Sequence, residues 1–322
     1  MIVLTAERSV EELLKVAKWA MDSAQYIAIF LHCDSQNYRE FKRISATRKA
    51  MHWIPAVRGE WLLIESRHSK TCSAYVVTHK EYFTPKLPAG YEWIHAGKKN
   101  SKIDLGIRGD DSGDNISELN SRLDELSVIY WAWKNTRSDF IGFTHYRRFL
   151  ILPGNGETML GDDNNHVITM NEVIDLLSDC DILVREVVTF SSAYSRDFEM
   201  RSDDVGYQIF IKHLRSRFPE YLPTLDLMQA GQRLIGNSMF FTRWKVFDEY
   251  CKWIFSFIIP AAIEFFDQPY KNDSERREIS YMGEMMFQVF LMHNHLKIKY
   301  LHTACGYEKD STPENPADWF IQ

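Results

Sequence analysis

The sequence predicts an α/β protein. Strand-like and helix-like apolar spacings alternate along the chain, and two of the apolar runs end in clusters of histidine and basic residues. Of the 322 residues, 45% are hydrophobic, enough for a sizeable core. The pattern divides into an N-terminal α/β segment over residues 1–72 and a larger unit over residues 73–322.

In the first segment, Ile2–Thr5 and Tyr26–His32 read as strands. Val10, Leu13, Leu14, Ala17, Met21 and Ala24 trace a helix, and Tyr38, Phe41, Ile44 and Met51 a second one. Between Arg39 and Arg58 the bases Arg39, Lys42, Arg43, Arg48, Lys49 and Arg58 face a single acid, Glu40. A solvated helix face explains that run better than a lipid or phosphate contact.

The second unit opens with SAYVVTHK over residues 73–80, an apolar strand running into His79 and Lys80. Pro85, Pro88 and Gly90 mark a turn, and residues 91–109 read as loop. Ile116, Leu119, Leu123, Leu126, Ile129, Tyr130 and Trp133 then fall on one face of a long amphipathic helix. Asp114 or Ser117 is placed to cap it, and Asn135 stands where it should stop. Phe140, Ile141, Gly142 and Phe143 form a short apolar run, as in a strand covered on both faces, and lead into His145-Tyr146-Arg147-Arg148.

Residues 153–165 are rich in Gly, Asp and Asn and read as an exposed loop. A short helix follows over 171–177, a strand over 181–184, helical spacing near 207–214 and a strand over 235–242. The next helix carries Phe247, Tyr250, Ile254 and Phe257 and should be disrupted at Pro260. The last, over 280–296, turns Met282, Met285, Met286, Val289, Met292 and Leu296 inward and leaves Glu284 on another face. Most of the aromatic residues, Trp131 and Trp133 included, keep helix or strand spacing and belong to the core.

A net charge of −6 and a pI near 6.0 give no general attraction to nucleic acid or to an anionic membrane, so any phosphate binding must be local. The five scattered cysteines lack CxxC spacing, which points to reduced thiols in a cytoplasm. No signal peptide is visible, and residues 253–266 fall short of the roughly 20 apolar residues that a spanning helix needs. The expectation is a cytoplasmic protein, with peripheral contact at the inner face of a membrane left open.

Ligands of open α/β sheets bind beyond the carboxyl ends of the strands. By that rule His79, Lys80, His145, Tyr146, Arg147, Arg148 and Asn237 converge on one crevice. A guanidinium suits a diphosphate, because its planar fork holds phosphate oxygens bidentately and stays charged. Adjacent strand residues point oppositely, so at most one of Arg147 and Arg148 reaches a given ligand unless the strand has ended. Asp179-Cys180-Asp181 spells the Asp-x-Asp of many metal-dependent nucleotide-sugar enzymes, but it lies between a helix and a strand start. The acidic pairs Asp110-Asp111, Asp162-Asp163 and Asp203-Asp204 are individually weak. No cofactor is firmly expected, and a divalent Mn or Mg ion is less favoured than a metal-free site. The absence of GxGxxG, P-loop, GxSxG and HExxH patterns weakens dinucleotide, ATPase, hydrolase and zinc-protease readings.

SAYVVTHK, GDNISELNSRLDELSVIYWAWKN, DFIGFTHYRRF, GNSMFF with FDEYCKW, and GEMMFQVFL together resemble a family of bacterial capsular and exopolysaccharide glycosyltransferases long known only as a domain of unknown function. The resemblance spans about residues 73–300. It implies a GT-A-like, Rossmann-like nucleotide-sugar-binding fold, and hexosyl transfer from a nucleotide diphosphate sugar to a glycan or lipid-linked glycan. Galactose or galactofuranose from a uridine diphosphate (UDP) donor is the favoured case. His79, Lys80, Asp114, Asn115, Asn120 and Tyr146 match donor-side positions. His145, Arg147 and Arg148 replace the usual Asp-x-Asp, and Glu284 matches the place of the base. Met285 stands where the family usually has Arg, and Ser127 where it has Thr. The expected activity is an inverting glycosyltransferase with Asn237 toward the acceptor. The competing expectations are an inactive glycan- or nucleotide-binding subunit and a metal-dependent phosphotransferase.

Overall fold

The computed structural model describes residues 2–5, 26–32, 38–39, 42–43, 51–56, 59–65, 70–82, 85–152, 158–160, 165–189, 204–236, 238–270 and 272–306. The chain forms two compact units, Met1–Lys70 and Thr71–Gln322.

In the first unit, β1 (Ile2–Thr5), β2 (Tyr26–His32), β3 (Met51–Ala56) and β4 (Gly59–Glu65) make a sheet in the order β1-β2-β4-β3. β1 and β2 run parallel; the other pairings are antiparallel. The helix expected over 10–24 lies outside the described residues, as do Arg48, Lys49 and Arg58 of the basic run. Met51, expected at the end of a helix, instead begins β3. Lys42 Nζ stands 2.6 Å from Glu60, which also accepts from the Tyr38 hydroxyl, so part of the basic charge is neutralised within this unit.

The second unit is a mixed sheet with helices on its faces. Its strands are β5 (Cys72–Thr78), β6 (Tyr91–His95), β7 (Phe140–His145), β8 (Arg148–Leu152), β9 (Thr158–Met159), β10 (His166–Val167), β11 (Ile182–Arg185), β12 (Val188–Thr189), β13 (Arg233–Leu234), β14 (Phe240–Arg243) and β15 (Ile298–Cys305). The main sheet has the order β10-β8-β15-β11-β14-β7-β5-β6, with β9 beside β15, and β12 and β13 pair separately. β6, β5 and β7 form a parallel block, so the residues after all three strands meet at one sheet edge. β6 is a correction, since residues 91–109 read as loop. Its Tyr-Glu-Trp-Ile-His is strand-like, but flanking turn signals obscured it.

The helices are α1 (Asn120–Leu123), α2 (Leu126–Asn135), α3 (Met170–Leu176), α4 (Val205–Arg217), α5 (Leu222–Gln229), α6 (Trp244–Phe266), α7 (Asp273–Arg276) and α8 (Glu278–His293). α2, α4, α6 and α8 pack on one sheet face around Trp131, Phe143, Phe240, Phe257 and Met286. α3 covers the other face over Ala74, Leu183 and Phe241.

α6 runs through Pro260, against expectation. A mid-helix proline costs about 3 kcal/mol, but Ile254, Phe257, Ile258, Ala261, Ala262 and Phe265 on both sides of it are fully buried. Tertiary packing of that face outweighs the lost hydrogen bond. No helix among the described residues is long and apolar enough to cross a membrane.

The helix expected from Ile116 to Trp133 is not continuous. A 3-10 turn at Ser117–Leu119 leads into α1, which ends at Asp124 with φ 44°, and α2 starts afresh at Leu126. Positive φ is strained for a residue with a Cβ, and such strain gathers at functional sites. Asn120 stabilises the break by donating from Nδ2 to the Asp124 carbonyl at 2.7 Å and to Ser127 Oγ at 2.9 Å.

Behind the break lies a buried carboxylate. Asp110, fully enclosed, accepts from the Gly97 and Lys98 amides and, at 2.6 Å each, from the Ser117 and Ser127 hydroxyls. These four donors tie the loop after β6 to both halves of the broken helix. Gly97 has φ 67°, and a Cβ there would fall 2.4 Å from Asn120 Oδ1, so only glycine fits. Asp110→Ala orphans four donors, each costing about 1–3 kcal/mol when buried unpaired. We expect it to lower unfolding free energy by at least about 3 kcal/mol, measured by denaturant titration.

Candidate active site

A cavity of about 250 Å³ opens at the carboxyl ends of β5, β6 and β7. Its wall is made by Val77, His79, Ala96, Asn120, Ser121, Asp124, Glu125, His145, Tyr146, Arg147, Arg276 and Arg277. Of the residues singled out from sequence, His79, Asn120, His145, Tyr146 and Arg147 meet here.

The strand end and the turn after it build the cationic side. Tyr146, almost wholly buried, is the hub: its ring lies 4.8 Å from Tyr82, 4.2 Å from His145 and 5.5 Å from His79, centroid to centroid. Arg147 and Lys80 lie over the same ring at 5.2 and 5.7 Å. Such contacts hold cations in place while leaving their hydrogen-bonding edges free for a ligand. Burial, with Lys80 as the largest opposing charge, lowers the pKa of His79. The same cause acts more strongly on His145, where burial is joined by Arg147 and Arg148.

A second pair of arginines arrives from the segment before α8. Arg277 Nε donates to Asp124 Oδ2 at 2.8 Å, with both side chains about one-fifth exposed. Arg276 Nη1 donates to the Ser121 carbonyl at 2.8 Å, while Arg122 Nη1 donates back to the Arg276 carbonyl at 3.1 Å and its Nη2 to the Phe266 carbonyl at 2.7 Å. These bonds latch α7 onto α1 and bring two more guanidinium groups to the cavity.

The acidic side comes from the helix break. Asp124 is engaged by Arg277, and the adjacent Glu125 has a pKa well above the ordinary 4.5. Burial is the main cause, and the charges of Glu284 and Asp124 add to it. Glu284 does not line the cavity; it acts on Glu125 from α8. The two elements come close because Gly283 has no side chain: a Cβ there would fall 2.6 Å from Leu126 Cδ1 and 2.9 Å from Ile258 Cδ1. We expect Gly283→Ala to cost about 1–3 kcal/mol by overpacking, read as a lowered melting temperature.

Four further residues singled out from sequence, Lys80, Asp114, Asn115 and Arg148, lie outside the cavity wall. Arg148 is 3% exposed in β8, and it is Arg147 that reaches the cavity. The physical reason is that Arg147 lies in the two-residue turn between β7 and β8, whereas Arg148 is already the first residue of β8. Lys80 lies beside the wall, over Tyr146, and not in it. Asp114 and Asn115 are bound into the loop before the broken helix. Tyr130 donates to Asp114 Oδ1, Asn135 exchanges bonds with the Asp114 backbone, and Asn115 Nδ2 donates to the Asp111 and Gly113 carbonyls. Asn237 lies outside the described residues. Asp181 sits at the start of β11, accepting from the Lys297 amide at 2.8 Å, on the sheet edge opposite the cavity.

Asp124, Glu125, Arg276 and Arg277 were not found from sequence. The only signal was the Glu275-Arg276-Arg277-Glu278 run, which reads as a solvated surface.

Residues 73–295 match the family model described as a domain of unknown function, DUF4422. The chain belongs to this family. Among solved structures, the chain resembles an apo structure titled WbbM bifunctional glycosyltransferase, with a TM-score of 0.62 and 24% identity. The likeness covers 76% of this chain and 48% of that one, so the chain spans about half the length of WbbM. It establishes a shared fold. No curated protein matches the chain.

Proposed function

We propose that this DUF4422 chain is a glycosyltransferase that moves a hexose from a nucleotide diphosphate sugar to a surface-glycan acceptor. Galactose or galactofuranose on a UDP donor is the first choice. The observation that carries the reading is the pairing, across one cavity, of Arg147, Arg276 and Arg277 with Glu125, a carboxylate of raised proton affinity. Fixed cations stabilise a departing diphosphate, and a carboxylate whose pKa is lifted toward neutrality is a better general base. The fold shared with WbbM supports a GT-A-like reading, in which the parallel β6-β5-β7 block holds the nucleotide.

In the proposed reaction Glu125 takes the proton of the acceptor hydroxyl as its oxygen bonds to the anomeric carbon. The bond from that carbon to the diphosphate oxygen breaks, and the nucleoside diphosphate leaves with the electron pair toward Arg147. One such displacement inverts the anomeric centre. The arginines supply positive charge, so transfer is expected to survive excess chelator.

The test is a panel of nucleotide sugars incubated with the purified chain and glycan acceptors, with nucleoside diphosphate release and the glycosidic product both followed. Release with one donor and a β or α product inverted relative to it is expected. Binding of donors without release or transfer by the wild-type chain would replace this reading with that of a binding subunit.

A further inference from the structure

His145 ends β7 and lines the cavity, and its surroundings fix where its proton sits. The Arg147 backbone N–H donates to His145 Nδ1 at 3.3 Å. An imidazole nitrogen that accepts carries no proton, so the proton of the neutral ring is on Nε2. Among the described residues, no hydrogen bond reaches that Nε2. With Nδ1 turned to the backbone of its own turn, the Nε2 edge is the one left for the cavity. Tyr146, 4.2 Å away, holds the ring plane.

Burial and the charges around the ring bear on its protonation. Burial opposes a proton on Nδ1 most, and Arg147, Arg148, His79 and Lys80 oppose it further; Asp124 and Glu125 line the same cavity. A second charge so close to Arg147 would be repelled, whereas a neutral N–H adds a hydrogen bond at no Coulombic cost. The same arrangement removes His145 from base chemistry, because one nitrogen is engaged and the other already protonated.

We infer that His145 is a fixed neutral donor, locked as the Nε2–H tautomer and giving one hydrogen bond to a phosphate oxygen of a diphosphate held by Arg147. The ligand class rests on the proposed function; the tautomer rests on the turn geometry alone. His145 thereby touches the leaving group without exchanging a proton with it.

The experiment uses the full chain labelled with nitrogen-15 in histidine, with two-bond proton–nitrogen correlations of His145 recorded across about pH 6 to 8, where an ordinary histidine titrates. One neutral Nε2–H tautomer, unchanged through that window and with its Nε2 signal displaced by inorganic pyrophosphate, is expected. An Nδ1–H tautomer, a mixture of the two, or titration at the ordinary pH overturns the inference. A signal unmoved by saturating pyrophosphate overturns the donor role. Two variants give an independent readout. His145→Gln places an amide N–H near the Nε2 position and should keep pyrophosphate affinity within about threefold, whereas His145→Asn places its amide near Nδ1 and should lose roughly tenfold or more. Equal loss in two folded variants also overturns the donor role. If pyrophosphate binds as described while no nucleotide sugar is turned over, the transferase reading falls and the donor stands. Transfer activity with an Nδ1–H ring gives the reverse.

Discussion

Glu125→Gln should abolish hexosyl transfer and at the same time make the protein more stable at neutral pH. As the proposed base, Glu125 contributes about 10² to 10⁴ in rate, and an amide cannot take a proton. The stability effect follows from linkage. Glu125 has a folded-state pKa well above its ordinary 4.5, chiefly through burial and then through Glu284 and Asp124. A group whose pKa is raised on folding gives stability that is fully present below the unfolded value and is lost as pH rises through the folded one. Glutamine does not titrate, so the variant escapes that loss. Melting temperatures taken from about pH 5 to 8 should show the gap between Glu125→Gln and the parent widening with pH. The transfer rate of the parent should rise with pH as Glu125 ionises. Glu284→Gln removes a neighbouring negative charge, so it should shift that rise to lower pH and leave substantial activity. If instead Glu284→Gln abolished transfer and Glu125→Gln did not, the base would be Glu284 and the roles would be exchanged.

The division of labour between these two glutamates shows what the sequence could and could not reveal. Apolar spacing located β5, β7 and α8 because each buries one face or both, and burial writes a period into the chain. It also led to His79, His145, Tyr146 and Arg147, since residues just past a buried strand fall at the sheet edge where ligands sit. It failed at Asp124 and Glu125. Leu119, Leu123, Leu126 and Ile129 keep helical spacing straight across the break, and the cause of the break is tertiary. Asn120 holds the Asp124 carbonyl, Arg277 holds its carboxylate, and Asp110 gathers both sides through Ser117 and Ser127. Asn120 is local, four residues from Asp124, but Arg277 lies 153 residues away, beyond any local period. Arg276 and Arg277 were hidden for the same reason, because their approach depends on Arg122 and Ser121. Asp114, by contrast, owes its donor-side expectation to the family resemblance. Its bonds to Tyr130 and Asn135 show a residue that fastens the loop to α2.

Arg147→Ala and Arg148→Ala should differ in kind although the residues are neighbours. Arg147 lines the cavity over the Tyr146 ring, facing the place assigned to the leaving diphosphate. Charge grows there only as the bond to the sugar breaks, so a fixed cation acts more on the transition state than on the bound donor. Loss of one such stabilising group costs roughly 10² to 10³ in turnover. Arg147→Ala is therefore expected to lose at least about a hundredfold in kcat, with a smaller change in KM and a near-normal melting temperature. Arg147→Lys should recover only part, since an ammonium keeps the charge but not the bidentate fork. Arg148 belongs to β8, where its backbone pairs with Cys305 and His145 and its carbonyl accepts from Thr144 Oγ1 at 2.6 Å. Its truncation empties a buried site beneath the hairpin, so stability should fall first, and folded Arg148→Ala should turn over far faster than Arg147→Ala. Comparing kcat per folded molecule separates the two effects. A folded Arg148→Ala as slow as Arg147→Ala would mean that the hairpin, and not one guanidinium, sets the electrostatics of the leaving group.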